Sequence, residues 1–183
     1  MHMKKNVALL DLADVGCESD SIRQTLEYFG YFVGMHRIGR PQHVIDILAG
    51  KTSCAYDCFV FICHGDDDGK ILMGELAEHI YFPDEPRGNF GYEEISRYLE
   101  LKNTLIISTG CSTGNEALAK AFAKNGNIYI APIDDPEGNS ALIYTHLFFY
   151  HACYNDFNIE DAHNKARSVD AETGMFTLFR TIY

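Results

Sequence analysis

Two kinds of hydrophobic block alternate along the chain. Short continuous apolar runs mark strands covered on both faces, whereas apolar residues three and four apart mark helices with one buried side. Lys5 to Leu12 is of the first kind. Asp20 to Phe29 is of the second, with Ile22, Leu26 and Phe29 on one face and Gly30 at its end. Tyr31 to Ile38 then reads as a strand, and Pro41 opens a helix through Val44, Ile45 and Leu48 to Gly50. A third strand, Asp57 to Cys63, stops abruptly at His64-Gly65-Asp66.

Beyond it the pattern weakens. Lys70 to Phe82 predicts a small β-hairpin and Pro83 to Gly91 a loop, before a helix over Tyr92 to Leu99. Thr104 to Ser108 is a fourth strand, and Thr113 to Lys124 predicts a helix stopped at Gly126. Asn127 to Ala131 is a fifth strand. Helices follow from about Asn139 to Tyr154 and from Ile159 to Arg167, and no period assigns Asp170 to Tyr183.

Strands alternating with helices imply a mainly parallel sheet with helices on both faces, because parallel neighbours need crossover connections. The 183 residues suit a single α/β domain over 1–183. Fifteen Lys and Arg against 26 Asp and Glu leave a formal charge of -11, a field that repels nucleic acid and anionic membrane surfaces. Met1-His2-Met3-Lys4-Lys5 runs into an apolar stretch broken by Asp11, which is no export signal, and no apolar run is long enough to span a bilayer. The expected setting is cytoplasmic, with all six cysteines reduced.

Ligands of such sheets bind beyond the carboxyl ends of the strands. Two strands end there in reactive residues: the third delivers His64-Gly65 and the fourth Thr109-Gly110-Cys111. On adjacent strands about 4.8 Å apart, an imidazole and a thiol can address one carbonyl carbon. A helix starting near Ser112 and Thr113 would lower the Cys111 pKa through its N-terminal amides. Gly65 and Gly110 let substrate approach the backbone, and the amides of Gly65 and Cys111 are candidate oxyanion donors.

Each residue alone has a plainer meaning, since buried cysteines and hydrogen-bonded histidines are common; the joint pattern favours chemistry. Competing patterns are weaker. Cys58, Cys63, His64 and Cys111 as zinc ligands conflict with the opposite facing of consecutive strand residues. Asp66-Asp67-Asp68-Gly69 lacks the ligand spacing of a calcium loop, and Gly110 to Gly114 lacks the lysine of a phosphate loop. No pattern calls for a cofactor or a metal.

An apolar block closed by His-Gly and another closed by Gly-Cys resembles the caspase-like cysteine peptidases, which include caspases, legumain, gingipain and separase. The likeness is greatest to the CHAT branch. Phe61-Ile62-Cys63-His64-Gly65 resembles its histidine motif and Ile107 to Gly114 its cysteine motif, and Ala131-Pro132-Ile133-Asp134-Asp135 follows in the same order. The usual Trp of that last motif is Ala131 here, since the chain has no Trp. The resemblance implies a caspase-like sandwich, a His64/Cys111 dyad and a protein or peptide substrate. It also implies a pocket beside Asp134 and Asp135 that would favour a basic residue before the scissile bond. A catalytically idle module that binds a regulatory protein partner is the alternative.

Overall fold

The computed structural model describes residues 5–12, 15–155 and 157–181. The start of the chain before Lys5 and the last two residues of the unassigned tail lie outside them. Five parallel strands, β1 (Asn6–Leu12), β2 (Phe32–Ile38), β3 (Cys58–Ile62), β4 (Leu105–Ser108) and β5 (Ile128–Pro132), are joined by β6 (Phe176–Arg180), which runs antiparallel to β5. The order across the sheet is β2-β1-β3-β4-β5-β6.

Alternation along β3 shows why the strands read as continuous apolar runs. Phe59, Phe61 and Cys63 enter a core under α2 (Pro41–Leu48), α3 (Tyr92–Tyr98) and α4 (Glu116–Phe122). Cys58, Val60 and Ile62 enter a second core under α1 (Glu18–Tyr28), α5 (Gly138–Tyr154) and α6 (Ile159–Ala166). Both faces are therefore covered, and every β3 side chain is buried. Because α5 is apolar around most of its girth, Tyr144, Phe148 and Phe149 are fully buried while Tyr150 and Tyr154 remain largely exposed.

Three elements depart from the sequence pattern. The Lys70 to Phe82 hairpin does not form. Instead Ile71 bridges Gly65 on one side and Phe90 on the other, and a short 3₁₀ turn occupies Glu78–Ile80. Within the 70–91 excursion, Ile71, Phe90 and the ion-paired Glu85 supply the fully buried side chains, too few for a two-faced hairpin.

The tail supplies β6, whose Phe176 stacks on Tyr144 with ring centroids 3.8 Å apart. Finally, α4 starts at Glu116 rather than Thr113. Ser112 has φ 53°, outside helical space, and the Asn115 side chain caps the helix by accepting from Leu118 N at 3.0 Å. This shift matters at the site.

Candidate active site

The β3–β4 register pairs Phe61 with Ser108. Three residues further along both strands come His64 and Cys111, so the ladder itself brings the two candidates to the same level. Thr109 N continues the ladder by donating to Phe61 O at 3.0 Å. Cys63 and His64 then part, as the alternation requires: the Cys63 side chain turns into the core and His64 is exposed.

The two loops meet through their backbones. A Cβ on Gly65 would lie 1.8 Å from the Cys111 carbonyl oxygen, and one on Gly110 would lie 3.1 Å from Gly65 N and 2.9 Å from Cys63 Sγ. Only glycine permits this approach. Gly69, at φ +69°, repeats the device one step out, its missing Cβ facing Ser112 O at 2.4 Å. Asn115 Nδ2 ties the same loops together by donating to Gly69 O at 3.0 Å and Ser112 O at 3.1 Å.

Beneath Cys111 lies a buried polar floor. Thr113 Oγ1 donates to Gly110 O at 2.7 Å and contacts Ser108 Oγ at 2.9 Å, while Tyr129 donates to Thr113 O at 3.0 Å. These groups hold the Cys111 turn where no helix does. Ser108, Thr113, Asn115 and Tyr129 escaped the sequence reading because hydroxyl and amide residues at strand ends carry no distinctive spacing.

The thiol is not activated in the way the sequence pattern implied. Cys111 sits five residues before α4, and its pKa is raised from the ordinary value by partial burial, then by the nearby carboxylate of Asp135, with a further contribution from Glu137. Its own amide acts in the opposite direction. Cys111 Sγ points toward Pro136 O at 3.9 Å. The His64 ring makes no hydrogen bond to any described residue, so imidazole and thiol share one edge without a direct bond in this state.

Asp134 and Asp135 are exposed on the β5–α5 loop beside the thiol. Asp134 O accepts from Ser112 N at 3.0 Å, and Asp135 Oδ1 accepts from Ser112 Oγ at 2.8 Å. Asp134 Oδ1 is occupied locally by Asp135 N at 3.0 Å. The structure thus brings four of the sequence candidates, Gly65, Gly110, Cys111 and Asp135, into one contact region, with His64 at its rim. The zinc combination is not assembled, since Cys58 and Cys63 enter opposite cores. Among the described residues no group of three His, Cys, Asp or Glu side chains is placed to hold a metal.

A six-stranded sheet of this order, covered by helices on both faces, is the caspase-like α/β sandwich. Two solved structures share it. The Arg-specific cysteine proteinase gingipain R superposes with a TM-score of 0.58 at 13% identity, over 93% of this chain and 44% of that one. The complex of Porphyromonas gingivalis RgpB pro- and mature domains gives 0.57 at 14% identity, with the same coverage of 93% and 44%. The chain therefore spans less than half the length of these relatives in fold. No protein-family model and no curated protein matches the sequence. Among the described residues no helix is long and apolar enough to cross a membrane.

Proposed function

We propose that the chain is a single-domain cysteine endopeptidase, CHAT-like within the caspase-like fold, in which Cys111 attacks a peptide carbonyl and His64 serves as its general base. The observation that carries this reading is the backbone contact of Gly65 with Cys111, which presents one imidazole and one thiol from adjacent strand ends. Gly65 N donates to no described acceptor and the amide of Cys111 reaches only its own sulfur, so both remain available to a developing oxyanion.

The carboxylates of Asp134, Asp135 and Glu137 favour a basic residue before the scissile bond. A cationic side chain seated beside Asp135 would also cancel the charge that disfavours the Cys111 thiolate. Substrate binding and thiol activation would then act in the same direction.

A second reading, a latent or idle module that binds a protein partner, draws on the same raised thiol pKa and on the absent imidazole–thiol bond. Incubating the purified chain, Cys111→Ala and His64→Ala with a diverse peptide library separates the two. Cleavage after Arg or Lys, lost in both variants and weakened in Asp135→Asn, is the expected result. Cleavage unchanged in Cys111→Ala, or none by the parent chain, overturns the peptidase assignment.

A further inference from the structure

Of the three carboxylates in the acidic run after the histidine, one is turned inward. Asp67 and Asp68 are exposed, whereas Asp66 is half-buried and both its carboxylate oxygens are answered. Oδ1 accepts from the amides of Asp68 at 3.0 Å and Lys70 at 2.9 Å, and Oδ2 accepts from Asn89 Nδ2 at 2.7 Å. The backbone closes the same turn: Asp66 N donates to Lys70 O at 2.9 Å, and Asp66 O accepts from Gly69 N at 2.7 Å. The chain thus leaves His64, turns over 66–69 and comes straight back, so that Ile71 bridges Gly65 and Leu72 N donates to His64 O at 3.0 Å. Burial opposes ionisation of Asp66, but the bonds from Lys70, Asn89 and Asp68, with the Lys70 charge, outweigh it and hold the carboxyl below its ordinary value.

We propose that Asp66 is a positioning residue for the His64/Cys111 pair, its carboxylate holding the turn that sets the histidine loop against the cysteine turn. Hydrogen bonds run from this turn in both directions. Asn89, which donates to Asp66, accepts from Met73 N at 3.0 Å and so ties the turn to the 70–91 excursion. On the other side the buried Gly69 lies against Ser112 O, and its carbonyl accepts from Asn115, which also donates to Ser112 O, one residue beyond Cys111. The positioning role takes its catalytic meaning from the peptidase reading, but neither its geometry nor its first test.

The chemistry of the position is specific. All three groups that meet the Asp66 side chain are N–H donors, so the site calls for a side chain that only accepts, as an ionised carboxylate does. In Asp66→Asn an NH₂ group would face the NH₂ of Asn89. Asn89 cannot turn over to answer it, because its Oδ1 is engaged by Met73 N. Exchanging the two side chains restores the match. With Asp66→Asn and Asn89→Asp together, the amide at 66 keeps one oxygen for the two backbone N–H groups and donates to the carboxylate at 89, whose second oxygen still accepts from Met73 N.

The first test measures proximity and needs no turnover. In a His64→Cys background, with the exposed Cys17 and Cys54 changed to Ser, the thiol introduced at 64 and Cys111 are equilibrated with reduced and oxidised glutathione. The disulfide is mapped by peptide mass, and its equilibrium gives the effective molarity of the pair. Asp66→Asn and Asn89→Asp should each lower that value about fivefold or more, and the double exchange should return it to within about twofold of the starting background. A residue that only stabilised the fold would lower the Tm without moving this equilibrium. The second test, with His64 intact, is peptide cleavage: each single variant should lose about tenfold in kcat with KM little changed, and the double exchange should regain most of it. The proposal is overturned if the folded single variants keep the effective molarity of the background, or if the double exchange is no better than Asp66→Asn alone. It is also overturned if the disulfide does not form with Asp66 and Asn89 in place. Should Asp66→Asn not fold, the recovery from Asn89→Asp to the double exchange decides. If the parent chain cleaves no peptide while the effective molarity follows the expected pattern, the peptidase reading fails and the positioning role stands. Cleavage with kcat unchanged in both single variants leaves the peptidase reading standing and overturns the positioning role.

Discussion

Two acids with buried carboxylate oxygens show how differently the same side chain is treated in this molecule. Glu85, on the 70–91 excursion, is 2% exposed and fully answered: Arg40 contacts both its oxygens at 3.0 and 2.6 Å, and the amides of Gln42 and Phe82 donate at 2.7 and 2.8 Å. Its pKa falls to about 2, chiefly through the hydrogen bonds from Arg40. Glu18, the first residue of α1, has one orphaned oxygen and a neighbouring carboxylate, and its pKa rises to about 7, chiefly through burial. A paired acid pins a segment in place throughout the range well above pH 2; an unpaired one changes state near neutrality. The first fastens the 70–91 excursion to α2, while the second stands at the start of α1, where its charge is felt by the buried Cys63.

The largest expected effect is on the paired acid. Glu85→Ala leaves the Arg40 guanidinium, stacked 3.5 Å from the Phe82 ring centroid, facing an empty slot. Removing one partner of a buried pair costs about 3–5 kcal/mol, which thermal unfolding reads as a fall in Tm of roughly 6–20 °C for a domain of this size. A loss below about 1 kcal/mol would show that the excursion does not depend on this clamp.

Next come the two groups whose titration acts in opposite directions. For Glu18 the folded pKa lies above the unfolded value of 4.5, so between about pH 4.5 and 7 the folded state binds the extra proton and stability falls as pH rises. His163 is the reverse. It is 3% exposed, bonded to Tyr144 at 2.7 Å, and burial lowers its pKa from 6.5 to about 4, so stability falls as pH drops through that window. The His163 contribution is on the order of 2–3 kcal/mol, and that of Glu18 about 1–2 kcal/mol after discounting for its partial exposure. The slopes oppose one another between pH 4.5 and 6.5. Urea midpoints in Glu18→Gln should therefore show a steeper decline on acidification than the parent, and a gain over the parent at pH 8. Parallel curves would remove the distinction between the two acids.

Much of the scaffold was readable beforehand because it follows from apolar periodicity. β1 to β5 and all six helices lie where the blocks fall, to within a few residues, since each strand is covered on both faces and each helix on one. What escaped depends on contacts between distant segments. β6 is assigned by pairing with β5 and by Phe176 meeting Tyr144, neither visible in Phe176–Arg180 alone. The approach of the His64 and Cys111 loops was legible in two glycines after two apolar runs. The start of α4 was not, because Thr113 is consumed by the floor beneath Cys111 instead of entering the helix. Glu18 was invisible for a related reason: its raised pKa comes from burial by the packed elements and from the Asp11 carboxylate on β1, neither visible in its own sequence window.

A smaller effect tests whether the glycine contact belongs with the paired or the unpaired side of the comparison. Gly65→Ala drives a methyl group onto the Cys111 carbonyl, and because the obstacle is backbone, one of the two loops must move. Overpacking of this kind costs about 1–3 kcal/mol. The cost in Cys111 reactivity should be greater than that in stability, since the loops can separate without unfolding the sheet below them. Equal losses in both would mean that the contact is a structural clamp like Glu85.

The smallest effect concerns Asn115, which is satisfied on every side: Oδ1 caps α4, and Nδ2 binds Gly69 O and Ser112 O. Asn115→Ala should cost about 1 kcal/mol through the lost cap. Asn115→Asp keeps the acceptor for Leu118 N but loses both donated bonds and sets a carboxylate against two carbonyl oxygens, so α4 survives while the Cys111 turn loosens. If positioning of the turn depends on polar groups being fully answered, Asp at this position should perturb Cys111 alkylation more than Ala does, despite retaining the cap. The opposite ranking would mean that α4, rather than the loop-to-loop bonds, holds the cysteine in place.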